Sequence, residues 1–131
     1  MRTTATFFTL LAGGACFAAM AISRTPTPRP ATGERAFQRC YSCHSLDATE
    51  TGLSGPNLDR LIGKPIAADR NFAYSPAFRG FARREKVWTR PLLDQFIADP
   101  EKLVPHNSMS YFGMKDAAQR RALVAYIAAD R

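Results

Sequence analysis

The 131 residues contain no sustained alternation of apolar and polar side chains, which argues against a sheet-based fold. No segment repeats itself and no long tract is of low complexity, so repeat arrays and wholesale disorder are both set aside. Metal-ligating side chains are scarce: three cysteines and two histidines in all. One of these, Cys16, falls in an N-terminal leader, leaving Cys40, Cys43, His44 and His106. A structural zinc site needs all four, and the adjacency of Cys43 and His44 strains a tetrahedron. Acidic residues are in deficit, 11 against 18 basic, for a formal charge of +7. Such a surplus favours acidic partners, anionic membrane surfaces or nucleic acid. The basic residues are scattered and accompany no nucleic-acid-binding motif, which removes the last of these.

What is present divides into three parts. Residues 1–21, "MRTTATFFTLLAGGACFAAMA", carry Arg2, an apolar run and then Ala19 and Ala21, the small residues a signal peptidase reads. This segment is a signal peptide or, left uncut, an N-terminal membrane anchor. Gly13, three residues before Cys16, disfavours lipidation there. Each version exports the rest of the chain across a membrane, soluble or tethered. Residues 22–32 form a Pro-rich linker, with prolines at alternate positions from Pro26 to Pro30 that favour extended geometry. Residues 33–131 form one domain, which keeps 15 basic and 11 acidic residues once Arg2, Arg24 and Arg29 are set aside, a charge of +4.

That domain reads as all-α. "TGERAFQRCY" predicts a helix capped by Thr32, with Phe37, Cys40 and Tyr41 on one face. "TRPLLDQFIAD" predicts a second, capped by Thr89 and stopped by Pro100, with Leu92, Leu93, Phe96 and Ile97 as its apolar stripe. "DAAQRRALVAYIAA" predicts a third, capped by Asp116, with Leu123, Tyr126 and Ile127 on one side. From residue 45 to 87 there is little periodicity beyond a turn of helix at "NLDRLIG". Three short helices and so long a loop make a thin core for about a hundred residues. A large apolar filler resolves both difficulties.

"RCYSCHSLD" supplies the candidate. Cys-x-x-Cys-His is the attachment motif for a c-type haem. One helical turn spaces Cys40 and Cys43 to reach two vinyl groups, and His44 then projects its imidazole onto the iron. A thioredoxin-like pair would need a strand-and-helix context that is not visible here. A plain disulfide would leave His44 without a purpose. The sixth ligand decides the job. Met109, in the loop "VPHNSMSYFGM" between two helices, is the leading candidate, and Met114 reads as packing. His106 is an alternative ligand, though it reads more simply as a surface side chain.

Several stretches in order extend this. "GERAFQRCYSCH", "GPNLDRLIGK", "FAYSPAF", "PHNSM" and "LVAYIAA" resemble the class I cytochromes c, in the mitochondrial-like branch that includes bacterial periplasmic carriers. The resemblance runs from Gly33 to about Ala129 and implies that family's fold: short helices and long loops wrapped around one covalent haem c. It implies that Pro56 accepts a hydrogen bond from the His44 ring, and that Tyr74 and Trp88 donate to haem propionates. It assigns Met109 as axial ligand to the iron, with Asn107 taking over the polar contact of the family's threonine. His106 and Asn107 replace the usual Gly-Thr. Phe96 stands where a tyrosine is common, which implies an altered potential, and the 78–86 loop is longer than the mitochondrial pattern. The function implied is one-electron transfer, not enzymatic catalysis, in a respiratory or photosynthetic chain. Arg39, Lys102 and Lys115 would surround the exposed haem edge. They would face acidic docking surfaces on a cytochrome bc-type reductase, a terminal oxidase or a reaction centre. A haem enzyme with an open iron position, such as a peroxidase, is the alternative should Met109 not bind.

Overall fold

A computed structural model describes residues 30–129. The leader and most of the Pro-rich linker lie outside the described residues, and with them the cleaved-or-anchored question. Five helices follow in order: α1 (Pro30–Phe37), α2 (Pro76–Arg84), α3 (Arg90–Ala98), α4 (Pro100–Leu103) and α5 (Ala117–Ile127). Among the described residues there is no strand, only an isolated bridge between Pro65 and Val87. No described helix is long and apolar enough to cross a membrane.

Local chemistry explains where the helices begin. Ser75, Thr89, Asp99 and Asp116 each accept a backbone N–H of the following first turn, from Phe78, Leu92, Lys102, and both Ala118 and Gln119 respectively. These bonds satisfy donors that a helix start would otherwise leave unpaired. Pro76, Pro91 and Pro100 sit in the first turns, where proline's missing N–H costs nothing. Three sequence expectations need correction. Thr32 lies inside α1, which begins at Pro30, and so does not cap it. The 78–86 segment, expected as loop, is mostly helix α2, started by Ser75 and Pro76 and held by buried Phe81. Pro100 both ends α3 and opens α4. "NLDRLIG" forms turns rather than a turn of helix.

The principal packing is α1 against α5, with α3 also laid on α5. Phe37 and Leu123 are fully buried at this crossing, and the Phe37 ring meets Tyr126 at 5.8 Å. Gly33 permits the close approach. A Cβ there would clash with the Ala122 carbonyl oxygen and stand 2.6 Å from the Tyr126 Cβ. A second cluster joins α2 to α3 through Phe78, Phe81, Trp88 and Phe96, with ring centroids 5.6–6.3 Å apart. The bridge region ties the middle loop to it: Trp88 donates to Lys64 O at 3.0 Å and Gly63 donates to Trp88 O at 2.8 Å.

Gly33→Ala should therefore force α1 and α5 apart and lower stability by about 1–3 kcal/mol, the usual cost of overpacking. Guanidinium unfolding reads this directly; an unchanged midpoint would contradict the packing.

Candidate functional site

Beyond α1 the chain continues in turns. Cys40 donates to Phe37 O, and both Cys43 and His44 donate to Cys40 O, at 2.7, 3.0 and 2.9 Å. This winding carries the helical direction through the motif and keeps the two thiols and the imidazole on one local scaffold. Cys40 and Cys43 are free thiols, not a disulfide. Burial, with the neighbouring Cys43, pushes the Cys40 thiol up to about 11, against a smaller opposing effect of Arg39. It is therefore an uncharged S–H near neutral pH. Among the described residues no cluster of three or more Cys, His, Asp or Glu could hold a bare metal ion, so the zinc reading has no support.

The long loop folds back over this turn. Gly55 donates to Cys43 O and Leu58 to Ser45 O, both at 2.8 Å. Asn57 organises the rest: Nδ2 donates to Asp47 O at 2.6 Å and Glu50 O at 3.1 Å, while Oδ1 accepts from Asp59 N at 2.7 Å. The result delivers the Pro56 carbonyl to His44 Nδ1 at 2.7 Å. A carbonyl can only accept, so the proton sits on Nδ1 and Nε2 keeps its lone pair. Burial holds the imidazole below the usual histidine range, opposed in part by the bond to Pro56. The ring is thus neutral at pH 7 and able to ligate through Nε2. Gly55 has a role that sequence reasoning missed. A Cβ there would clash with His44 Cε1 and stand 2.8 Å from Nδ1, so only glycine lets the loop lie against the ring.

All of this faces one cavity of about 780 Å³. Cys40, Cys43, His44, Pro56, Tyr74, Trp88, Asn107 and Met109 all line it, so every cofactor-binding residue expected from the sequence comes together there. Leu93, Phe96, Ile97, Leu123 and Ile127 make its wall apolar. Met114 lies outside the lining, buried against the core, with its N–H on Ile97 O at 2.9 Å. His106 is exposed and also lies outside it. The Tyr74 ring stacks on Phe78 at 5.4 Å, and burial raises its hydroxyl pKa against a hydrogen bond from the Asp69 backbone. Asn107 spans the strap before Met109: Nδ2 donates to Val104 O and Oδ1 accepts from Met109 N, both at 2.9 Å.

Tyr111 is a lining residue the sequence did not single out, although it sits two positions after Met109. Its hydroxyl is buried with no partner at bonding geometry. Burial raises its pKa, while the nearby Arg39 guanidinium works the other way. A buried, orphaned donor at an apolar cavity points to a polar group of something that fills it. Two free thiols, a neutral imidazole with a free nitrogen, a thioether and an apolar wall suit a porphyrin bearing vinyl groups, an iron and a few polar substituents.

Comparison with known proteins agrees. The family model "Cytochrome c" matches residues 30–129. The chain belongs to the cytochrome c family. It is 33% identical over 97 residues to cytochrome c2 of Agrobacterium tumefaciens (strain II Chrys), covering 74% of this chain and 87% of that one. Cytochrome cH from Methylobacterium extorquens superposes with a TM-score of 0.66 at 30% identity, covering 75% of this chain and 95% of that structure. Cytochrome c2 from Rhodospirillum centenum, at 23% identity and a TM-score of 0.69, shares the fold over 75% of this chain and 94% of its own. The fold is accordingly the all-α class I cytochrome c fold of the bacterial branch, and the cofactor is one covalent haem c with its iron.

In a cytochrome c built this way, Gly55→Ala should push the His44 ring off Pro56. Stability is expected to fall by about 1–3 kcal/mol, and the His44 Nδ1 proton should lose its protection from exchange by NMR. Retention of that protected proton would contradict the packing role given to Gly55.

Proposed function

We propose that the chain is an exported one-electron carrier whose haem iron is held by His44 and Met109. Haem-based electron transfer follows from the family. The finer reading rests on one observation: a histidine with its tautomer fixed by Pro56 and a methionine on a hydrogen-bonded strap line the same apolar cavity as two free thiols. When bound, the haem supplies the one-electron couple of its iron.

The protein's part is to set that couple and protect it. A histidine–methionine pair favours the reduced metal and raises the potential. The wall of Leu93, Phe96 and Ile97 acts in the same direction, because an extra net charge is costlier to hold in apolar surroundings. Phe96 is buried against Trp88 and Phe78 and brings no hydroxyl toward the sulfur. Tyr74 and Trp88 are the proposed propionate donors, and Cys40 and Cys43 the thioether anchors. Asn107 fixes the Met109 backbone by accepting its N–H.

Docking is proposed on the basic rim. Arg39 lies at the cavity edge. Lys102 is exposed on α4, and Lys115 is exposed but shared with Asp99 at 3.3 Å. These charges suit acidic surfaces on membrane redox complexes: a cytochrome bc-type reductase on one side and a terminal oxidase or reaction centre on the other. Steering of this kind speeds encounter and weakens with salt. The proposed domain plan, a leader in residues 1–21, a linker in 22–32 and the carrier from 33, puts this exchange in the periplasm. The carrier would be soluble or held by its leader.

Two outcomes test the reading. The ferric protein should show the methionine-to-iron charge-transfer absorption, and Met109→Ala should abolish it while leaving the pigment attached. A spectrum without that band in the unaltered protein would favour an open-site haem enzyme. Lys102→Glu should slow reduction by an acidic redox partner severalfold at low ionic strength, with the difference vanishing at high salt. Equal rates at every salt concentration would remove Lys102 from the docking surface.

A further inference from the structure

The strap that carries Met109 has no regular structure, yet its geometry is not free. It leaves α4 at Val104 and passes through His106, whose φ of 62° is a left-handed conformation that residues with a Cβ adopt only at a cost. Something must hold it there. The Glu101 carboxylate is placed to do so: Oε1 accepts the His106 backbone N–H at 2.9 Å, and Oε2 accepts from Asn107 Nδ2 at 3.3 Å. Asn107 passes the restraint on, since its Oδ1 accepts the Met109 N–H at 2.9 Å. The base of this chain is firm. Pro100, next to Glu101, is fully buried, and Asp99 caps α4 through the Lys102 N–H at 3.1 Å.

We infer that Glu101 is a positioning residue for the axial methionine, a carboxylate clamp holding the strap in the shape that presents Met109. The inference rests on Met109 being the sulfur ligand. Glu101 itself lies outside the cavity lining. It acts through His106 and Asn107, the two positions at which this chain departs from the usual Gly-Thr. A glycine would adopt positive φ without help, whereas a histidine needs the clamp. An ionised acceptor is the stronger choice for bonds exposed to water.

An external ligand competing for the iron measures this hold. Ferric holoprotein is titrated with imidazole, which displaces the methionine and removes its charge-transfer band. Glu101→Ala should raise the apparent imidazole affinity about tenfold, the lower end for hydrogen bonds to a charged group, given the solvent exposure of the carboxylate. Glu101→Gln keeps an acceptor for His106 but turns an amide donor toward Asn107, so it should lie between wild type and Ala. Removal of another exposed carboxylate, in Glu85→Ala, should change nothing. Amide exchange in the alanine variant should quicken at His106 and Met109 and keep its wild-type rate in α5, which separates a local hold from general loss of stability. A normal band in the wild type with the same imidazole affinity in Glu101→Ala would overturn the clamp and leave the ligand assignment standing. A wild type without the band would overturn both.

Discussion

The fold depends on a single contact twelve residues long in sequence and 2.7 Å in space, the hydrogen bond between His44 Nδ1 and the Pro56 carbonyl. It joins the cysteine-bearing turn after α1 to the loop that covers it, and it decides which imidazole nitrogen keeps a lone pair. Much of the loop's own bonding serves to make this contact possible. Asn57 ties residues 47 and 50 beside it, and Gly55 leaves room for the ring. Function and architecture share one constraint here, because the same bond orients the His44 imidazole toward the cavity and closes the loop.

A second constraint is volume. The apolar side chains of α3 and α5 face a cavity of about 780 Å³ as well as one another. Left unfilled, the apolar part of that lining would face water and lose the burial that stabilises a core. The described side chains line this space rather than fill it. Covalent attachment through two thiols removes the option of losing the filler. That explains how helices as short as α4 persist in a domain whose longest described helix is eleven residues.

Much of this was legible in the sequence because the informative residues are chemically particular. Cys40, Cys43 and His44 are few and closely spaced, and Thr89 and Asp116 cap helices by the bonds their side chains prefer. The cavity lining expected from the resemblance came together without exception. What stayed hidden depends on distance in the chain. Helix α2 has Gly80 in its middle and an apolar face of only a few residues, so its stability comes from Phe78 and Phe81 packing on Trp88 and Phe96 rather than from periodicity. Thr32 looks like a cap only while the chain before it is taken as extended linker. Gly55 and Tyr111 have no local signature, since their roles arise where one loop meets another element. Glu101 reads as an ordinary surface acid until the strap is seen to fold back on it.

The central claim is that Cys40 and Cys43 bind a haem by two thioether bonds and that this group completes the core. The mass of the purified, mature protein under denaturing conditions tests it most directly. The account predicts a species heavier than the polypeptide by one haem, with the added mass retained on the fragment containing Cys40–His44 after digestion. A polypeptide of unmodified mass, from cells able to attach haem to other proteins, would contradict it.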